Sequence, residues 1–372
     1  MSLKHDVKAV GSGFQIYGQF ISAIPYGSGH INDTYAATYD QGGTIVRYIH
    51  QRINENIFKN IPGLMENIDR VTRHSFSRVK ETGGADASRN TLTLIPSKDG
   101  QPFYVDPDGG HWRTYIFIEK ARTYDAIQSV AQAQEVARAF GEFQKLLVDI
   151  PGGRLVETIP NFHHTRSRLD TLKKAIEENV AGRKSEVQKE IDFVLSREDV
   201  VDVLLNLQAE GKIPERITHN DTKLNNVMLD DQTGKSVCVI DLDTVMPGLV
   251  LYDFGDMVRT ATSPALEDEK DLSKVAMQMN MFAALAEGYL SSASDFLCAA
   301  EIEHLAFSGK LITLEIGIRF LTDFLQGDIY FKTKRPEHNL DRCRTQFRLV
   351  ECIEAAEGEM QDVVEKLVGK LV

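Results

Sequence analysis

A polar loop that is followed at once by a hairpin constrains the fold of this chain more than any other part of its sequence. Residues 218–226 have the sequence THNDTKLNN, which contains the spacing H-x-D-x-x-x-x-N with Asp221 and Asn226 as its last two members. Residues 227–240 follow as two apolar runs on either side of a glycine-containing turn. Apolar runs separated in this way predict a β-hairpin. A carboxylate, Asp241, comes directly after it.

The residues around this hairpin have the chemistry of a phosphoryl-transfer site. Pairing the ends of the hairpin places Asn226 opposite Asp241, and Mg²⁺ takes a few hard oxygen ligands of this kind together with phosphate and water. Asp243 has the same strand parity as Asp241 and is the next candidate for the metal. Asp221 is placed where a carboxylate can accept the proton of a substrate hydroxyl. The spacing therefore predicts a kinase-type site that uses ATP and Mg²⁺, with Asp221 as the catalytic residue.

A further carboxylate lies downstream in the sequence Asp253-Phe254-Gly255, which is the D-F-G of protein kinases. The hairpin assigns the metal to Asp241 instead. We therefore predict that Asp253 is a structural residue that supports the catalytic loop through hydrogen bonds, as carboxylates around metal sites commonly do.

These motifs resemble those of the aminoglycoside phosphotransferase and choline kinase superfamily. The core of the resemblance is HNDTKxNNVM at 219–228, IDLDTVMPG at 240–248 and YDFGDMVR at 252–259. Within the superfamily the chain is most similar to the N-acetylhexosamine 1-kinases, and the resemblance runs over most of its length. The other segments that carry it are 26–35, 51–54, 112–115, 140–143, 319–323 and 327–331.

The resemblance implies an ATP-dependent kinase that phosphorylates the anomeric hydroxyl of an N-acetylhexosamine and gives the sugar 1-phosphate. Arg319 lies in a largely apolar helix, where a charge is costly unless it is paired. Its partner is either Asp323, one turn away, or a hydroxyl or amide carbonyl of the sugar, and the resemblance favours the sugar. Tyr330 either stacks on a sugar face or packs within the protein. His30, at the end of a glycine-containing loop, is a further candidate for the acceptor site.

The predicted fold is α+β and two-lobed like that of protein kinases, with a small antiparallel β lobe and a larger helical lobe. We place the nucleotide-binding β lobe at 1–120 and the helical lobe, with the catalytic loop and acceptor site, at 121–372. The predicted strands are 20–25, 34–39, 44–51, 90–95 and 112–119. The predicted helices are 61–77, 126–147, 166–179, 186–208, 266–290, 299–325 and 342–367.

The nucleotide site is predicted in the β lobe, where a glycine-containing loop lets backbone N–H groups approach phosphate oxygens. The resemblance leads us to expect a phosphate-binding lysine on the third strand, but residues 9–58 contain no lysine. Two arginines of that strand are the candidate replacements, and their opposite parity directs them to opposite faces. Glu66 on the following helix either orients this cation or is a solvated charge. The candidate ATP-binding residues are Gly27, Ser28, Gly29, Arg47 and Arg52.

Composition limits the partners of the chain. The formal net charge is −12 over 372 residues, which disfavours nucleic acids and anionic membranes as partners. No run is long and apolar enough to span a bilayer, and the first residues lack the apolar core of a signal peptide. The four cysteines show no C-x-x-C spacing and are expected to be reduced. We therefore expect a cytoplasmic protein, and the resemblance implies a small sugar as its substrate.

Other functions are compatible with parts of the sequence. A kinase for an aminoglycoside or an amino alcohol needs acidic residues around a cationic acceptor, and the acidic run 267–269 is one source, although such a run is also typical of a solvated helix start. A kinase for another sugar is a further alternative. A catalytically inactive kinase fold that binds a ligand is disfavoured by the intact Asp221, Asn226 and Asp241. A protein kinase is disfavoured because neither an A-P-E motif nor a long activation segment follows Asp241.

Overall fold

The computed structural model describes residues 3–27, 31–82 and 86–371. In these ranges the strands are β1 (Gln19–Pro25), β2 (Asp33–Gln41), β3 (Thr44–Arg52), β4 (Tyr104–Val105), β5 (His111–Ile116), β6 (Ala121–Arg122), β7 (Arg216–Thr218), β8 (Val227–Asp230), β9 (Ser236–Val239) and β10 (Met246–Gly248). The α-helices are α1 (Val7–Gly11), α2 (Ile61–Glu81), α3 (Ala87–Asn90), α4 (Val130–Leu146), α5 (Thr165–Glu178), α6 (Gln188–Leu195), α7 (Val203–Ala209), α8 (Val250–Ala261), α9 (Met279–Ala293), α10 (Ala299–Glu303), α11 (Leu305–Gln326) and α12 (His338–Leu371).

The contacts of the chain divide it into two units. The first contains the residues up to Arg122, together with Asp149–Ile159 and Met228–Met246. The second contains Thr123–Val148, Pro160–Val227 and the residues from Pro247 onwards. The first unit holds a five-stranded antiparallel sheet and the second holds most of the helices. The predicted α+β fold, with a small β part and a larger helical part, is confirmed.

The sheet of the first unit has the strand order β1-β2-β3-β5-β4 and is antiparallel throughout. β2 and β3 pair along their full length. Gly42 and Gly43 join them at φ angles of 63° and 89°, where glycine has no steric cost. The carboxylate of Asp40 accepts a hydrogen bond from the backbone N–H of Gly43 at 2.7 Å. The three strands predicted at the start of the chain are confirmed.

The strand predicted at 90–95 is wrong. α3 occupies the beginning of this segment, and Leu94 makes only an isolated bridge to Tyr115 of β5. The reason is that α3 ends only at Asn90 and β5 ends at Ile116, so the segment lies beside the last residues of β5 and makes two backbone hydrogen bonds to them. These join Ile95 N to Thr114 O at 2.8 Å and Ile116 N to Thr93 O at 3.0 Å.

The second unit is built from packed helices, several of which differ from the prediction. The helix predicted at 299–325 is interrupted and forms α10 and α11, the helix predicted at 186–208 forms α6 and α7, and the helix predicted at 266–290 begins only at α9. α8 was not predicted, although it contains the D-F-G sequence. It packs closely on α11, since a Cβ at Gly255 would overlap the backbone carbonyl of Ser308. In the part of the chain that the structure describes, no helix is long and apolar enough to cross a membrane.

Candidate active site

The loop between β7 and β8 carries the predicted catalytic residue, and α8 holds this loop in place. Asp253, in the first turn of α8, accepts hydrogen bonds from the backbone N–H groups of His219 at 2.8 Å and of Asn220 at 2.7 Å. The side chain of Gln144 on α4 donates to the same carboxylate at 2.7 Å. Asp253 is fully buried. The predicted hydrogen bonds between Asp253 and the catalytic loop are therefore confirmed, and the D-F-G sequence belongs to a helix.

The residues on both sides of Asp221 are fixed by this helix. Asn220 has a φ angle of 64°, a left-handed conformation that asparagine tolerates better than most residues. Its side-chain oxygen accepts a hydrogen bond from the hydroxyl of Thr218 at 3.0 Å. On the other side, the backbone N–H of Thr222 donates to Asp256 at 3.1 Å. The loop is thus held at the residue before Asp221 and at the residue after it.

Asp221 lies in a cationic environment within the second unit. The ammonium of Lys223 is 2.9 Å from its carboxylate, and Asn226 donates to it at 3.1 Å and to its backbone carbonyl at 2.8 Å. Burial raises the pKa of Asp221, but the charge of Lys223 and these hydrogen bonds bring it below its ordinary value. The carboxylate, whose side chain is 29% exposed, is therefore ionised at neutral pH and can orient a hydroxyl.

The predicted metal ligands lie on two different elements. In the second unit, the side-chain N–H₂ of Asn226 is used by Asp221, which leaves its amide oxygen as an acceptor for a cation. In the first unit, β9 ends at Val239 and Asp241 has a left-handed φ angle of 61°. The predicted hairpin of β8 and β9 is confirmed.

The carboxylate of Asp243 is already engaged within the first unit. It forms a buried ion pair with Arg113 of β5, and the side chain of Asn32 donates to its other oxygen at 2.7 Å. Because a 3₁₀ turn occupies Leu242–Thr244, the strand parity that suggested a metal role for Asp243 does not apply. Arg113 was not among the predicted site residues. Its signal was a charge between the aromatic residues of a strand, where burial requires a partner.

The residues predicted to bind ATP lie in different surroundings in the structure, and two of them are not described by it. Ser28 and Gly29 lie outside the described residues, and Gly27 has a left-handed φ angle of 82°. His30, predicted for the acceptor site, also lies outside the described residues. Arg47 forms an ion pair with Glu119, and its guanidinium lies 3.7 Å from the centre of the Phe117 ring. Arg52 lies beside Gly110. The buried cation beside Asp241 and Asp243 is Arg113 instead. The roles of Gly27, Arg47 and Arg52 in ATP binding stay predictions.

α2, the helix after β3, holds the segment that carries Asp241 and Asp243 through Asn67 rather than through Glu66. Glu66 is exposed and lies 3.9 Å from Arg70, which is the arrangement of a solvated helix pair. The buried side chain of Asn67 donates to the backbone carbonyls of Val156 at 2.7 Å and of Val245 at 3.2 Å. Val245 follows the two aspartates of the I-D-L-D sequence, so α2 fixes the end of this segment.

The predicted acceptor residues lie on α11 and on the loop after it. The guanidinium of Arg319 is 5.3 Å from the ring centre of Phe162 and 5.7 Å from that of Phe331. The carboxylate of Asp323, the alternative partner of Arg319, accepts hydrogen bonds that order the loop after α11. It accepts hydrogen bonds of 2.8–3.0 Å from Asn339 and from the backbone N–H groups of Ile329, Tyr330 and Phe331.

Comparison with known proteins identifies the family. A model described as the phosphotransferase enzyme family matches residues 22–275, which is more than half of the chain. The chain belongs to this phosphotransferase family. The matched range includes the predicted catalytic loop, the hairpin and α8.

Solved structures similar to this phosphotransferase show the same fold. One is a microcompartment-associated aminopropanol kinase, with 15% identity, a TM-score of 0.57 and coverage of 95% of this chain and 98% of that chain. Another is an aminoglycoside phosphotransferase from Alicyclobacillus acidocaldarius, with 13% identity, a TM-score of 0.60 and coverage of 98% of each chain. An ethanolamine kinase from Plasmodium vivax has 16% identity, a TM-score of 0.51 and coverage of 89% of this chain and 82% of that chain. At these identities the likeness concerns the fold alone.

We expect Asp241→Asn and Asp243→Asn to have different effects on this phosphotransferase. Asp241→Asn removes the predicted metal charge, so affinity for a Mg²⁺ complex of a non-hydrolysable ATP analogue should fall about tenfold or more. Asp243→Asn weakens the partner of a buried arginine, which should lower the free energy of unfolding by about 1.5–3 kcal/mol. Calorimetric titration and denaturant unfolding measure the two quantities. Unchanged stability with lost Mg²⁺-dependent binding in Asp243→Asn would show that Asp243 binds the metal.

Proposed function

We propose that this phosphotransferase is an ATP- and Mg²⁺-dependent kinase that phosphorylates the anomeric hydroxyl of an N-acetylhexosamine. The observation that carries the proposal is a cluster of cationic and aromatic side chains close to the catalytic loop, which we call the acceptor wall. It consists of Phe162, Arg168, Arg319, Tyr330 and Phe331. The resemblance of residues 319–323 and 327–331 to the N-acetylhexosamine 1-kinases supports the same acceptor.

The acceptor wall offers hydrogen-bond donors rather than acceptors. Burial lowers the pKa of Arg168, and the neighbouring charge of Arg319 lowers it further, so the two guanidiniums lie close enough to repel each other. Arg168 donates to the backbone carbonyl of Phe162 at 2.8 Å, while its Nε is buried without a partner among the described residues. Glu315, the nearby carboxylate, is used by His163 and Thr165.

This charge distribution favours a neutral acceptor over a cationic one. An amino alcohol or an aminoglycoside would bring a positive charge towards two arginines, and like charges in a partly buried site repel strongly. The hydroxyl oxygens and amide carbonyl of an N-acetylhexosamine accept hydrogen bonds from guanidinium donors. Aromatic rings such as Phe162 and Phe331 provide the apolar faces on which a sugar ring can pack.

The acidic run 267–269, considered above as a cation-binding feature, is paired with basic residues of the same unit. Glu267 contacts Arg259 at 3.0 Å. Asp268 contacts Arg335 at 3.3 Å, and Glu269 contacts Lys274 at 3.2 Å. Carboxylates that already have cationic partners are poor ligands for a charged substrate.

In the proposed reaction the anomeric oxygen attacks the γ-phosphorus of ATP. The bond from phosphorus to the bridging oxygen of ADP breaks, the sugar 1-phosphate forms, and the Asp221 carboxylate accepts the hydroxyl proton. An anomeric hydroxyl is more acidic than an ordinary alcohol, so an ionised carboxylate of lowered pKa is basic enough when the proton moves late. Asn226 and Asp241 stay the predicted ligands of Mg²⁺, which would supply positive charge to the phosphate oxygens when bound.

An acceptor panel tests this proposal. Purified protein with ATP and Mg²⁺ is mixed separately with N-acetylglucosamine, N-acetylgalactosamine, glucose, galactose, kanamycin, ethanolamine and choline, and ADP release is followed. We expect release with the N-acetylhexosamines and none above background with the cationic acceptors. ADP release with kanamycin, ethanolamine or choline in preference to the sugars would contradict the proposed acceptor. Release with a hexose that lacks the N-acetyl group would indicate the other-sugar alternative.

The acceptor wall predicts a specific effect of Arg319→Met. Loss of a charged hydrogen-bond donor of about 1.5–3 kcal/mol should lower kcat/KM for the acceptor about tenfold to a hundredfold, whereas the KM for ATP should stay unchanged. Arg197→Met is the matched control, because Arg197 also stacks on a phenylalanine, Phe193, at 3.7 Å and is paired with Glu354. Steady-state kinetics with each substrate varied in turn provides the measurement. Equal effects of the two replacements on kcat/KM would show that Arg319 is not part of the acceptor site.

A further inference from the structure

His163 is a buried histidine that lies between the catalytic loop and α11. Its Nδ1 is 2.8 Å from a carboxylate oxygen of Glu315, and its Nε2 is 3.1 Å from the backbone carbonyl oxygen of Asn220. The other oxygen of Glu315 accepts a hydrogen bond from the hydroxyl of Thr165 at 2.6 Å. The side chains of His163 and Glu315 are 3% and 0% exposed. Both nitrogens of the ring are therefore engaged by the protein itself.

The two partners of His163 determine its protonation state. A carboxylate and a backbone carbonyl only accept hydrogen bonds, whereas a neutral imidazole has one donor nitrogen and one acceptor nitrogen. Both contacts are hydrogen bonds only if the ring carries two protons and a positive charge. Burial lowers the pKa of His163, but the charge of Glu315 and its hydrogen bond hold it above its ordinary value. Burial raises the pKa of Glu315, and the charge of His163 brings it below its ordinary value.

The charged groups around the ring come from α11 and α8. On α11, Glu315 stabilises the imidazolium and Arg319 opposes it. On α8, Asp256 stabilises it, and the ring of Tyr252 lies 5.5 Å from the imidazole ring. Glu315 is in direct contact, so it is the partner that decides the charge of the histidine.

This pair connects the residues of the catalytic loop with those of the acceptor wall. Asn220 immediately precedes Asp221, and its carbonyl belongs to the peptide group that joins the two residues. Glu315 lies one helical turn before Arg319 on α11, so the two residues are on the same face of the helix. Phe162, whose ring is stacked by Arg319, immediately precedes His163. On one side, the His163–Glu315 pair thus contacts the peptide group that precedes Asp221. On the other side, its Glu315 belongs to α11, the helix that carries Arg319.

We propose that the imidazolium of His163 is a positioning residue for phosphoryl transfer, which fixes the peptide group between Asn220 and Asp221 relative to the acceptor wall. The positioning role of His163 rests on the proposed function in one respect, namely that Asp221 acts on an acceptor hydroxyl. It does not depend on which acceptor is used. A neutral ring can donate to only one of its two partners. Loss of its proton therefore releases either Glu315 or the carbonyl of Asn220.

The pair gives the reaction a defined pH dependence. The raised pKa of His163 means that the charged ring is present below that pKa and is lost as the pH rises through it. We therefore expect kcat to fall on the alkaline side. In Glu315→Gln the charge partner is absent but a hydrogen-bond acceptor remains, so this alkaline fall should move to lower pH by about one to three pH units. In His163→Gln the fall should be missing, and kcat should be lower about tenfold to a hundredfold at pH values below the alkaline fall of the wild type.

The experiment compares pH profiles of kcat for the wild type, His163→Gln, Glu315→Gln and His164→Asn, with ATP and the acceptor found in the panel. His164→Asn is the control, because the His164 side chain caps α5 and asparagine is a good cap. The KM for ATP should remain within about twofold in all variants, since a peptide shift at the base affects transfer rather than nucleotide binding. An alkaline fall that stays at the wild-type pH in Glu315→Gln would overturn the proposal, as would a wild-type profile in His163→Gln.

A second measurement is independent of the acceptor and of these variants. In ¹⁵N-histidine-labelled wild-type protein, the ring nitrogens of a buried imidazolium both carry protons at neutral pH, and we expect this signature for the ring that contacts Asn220. A neutral ring would overturn the proposal even if every acceptor in the panel failed. If the panel fails while the ring is charged, the slow transfer of phosphate from ATP to water supplies kcat for the same four profiles. The failure of the proposed acceptor is then distinguished from the failure of the positioning role.

Discussion

Asp221→Asn should lower kcat about 10²- to 10⁴-fold, the range in which a positioned general base contributes to catalysis. The amide is nearly the same size as the carboxylate, and it keeps an oxygen that can accept hydrogen bonds from Lys223 and Asn226. It carries no charge and is a poor proton acceptor. The loss should therefore concern the transfer step. ADP release with an N-acetylhexosamine, measured at saturating ATP, gives the size of the effect.

The fold of the Asp221→Asn variant should be unaffected, because Asp253 and Asp256 hold the loop on both sides of this residue. The melting temperature and the affinity for a non-hydrolysable ATP analogue should match those of the wild type. Asp170→Asn, at an exposed position of α5, is the matched control and should keep full activity. A variant at Asp221 that retains more than a tenth of wild-type kcat would exclude this residue as the base.

Asp253→Ala should destabilise the second unit and abolish activity together. The replacement leaves the backbone N–H groups of His219 and Asn220 and the side chain of Gln144 without their acceptor. Removing one member of a buried, charged hydrogen-bond network costs about 3–5 kcal/mol. Because the same carboxylate sets the conformation of the loop before Asp221, kcat should fall even at temperatures where the variant stays folded. Denaturant unfolding and kinetics at low temperature separate the two effects.

Glu178→Ala is the control for this prediction, because Glu178 is a solvated carboxylate at the end of α5. It should change the free energy of unfolding by less than about 0.5 kcal/mol. A folded Asp253→Ala protein with normal stability but lost Mg²⁺ affinity would support the alternative that Asp253 binds the metal, as the D-F-G sequence suggests.

The local part of the site was predictable from the sequence. The H-x-D-x-x-x-x-N spacing and the hairpin lie within a short stretch, where turn residues and apolar alternation determine the conformation. The hydrogen bonds to Asp253 were also predicted, although the helix that carries this residue was not. α8 begins after Leu249 and is buried on most sides. Its polar residues Asp253, Asp256 and Thr260 recur at helical spacing, so the sequence did contain a signal for this helix.

The rest of the site depends on pairs that are distant in the sequence. Arg113 and Asp243 are separated by 130 positions, and His163 and Glu315 by 152. A charged residue in an apolar segment predicts that a partner exists, but the sequence does not specify which one. The same limit applied to Arg319, for which Asp323 was the obvious local partner. In the structure Asp323 organises the loop of Tyr330 instead, because its two oxygens accept the backbone N–H groups of that loop.

The measurement that tests the account most directly is the position of phosphate in the reaction product. The protein is incubated with ATP, Mg²⁺ and the best N-acetylhexosamine of the panel, and the product is analysed by ³¹P–¹H correlation NMR. We predict a phosphate coupled to the anomeric proton, formed by the wild type and absent with Asp221→Asn. A phosphate coupled to the protons of another carbon, or a product that forms equally with Asp221→Asn, would contradict it.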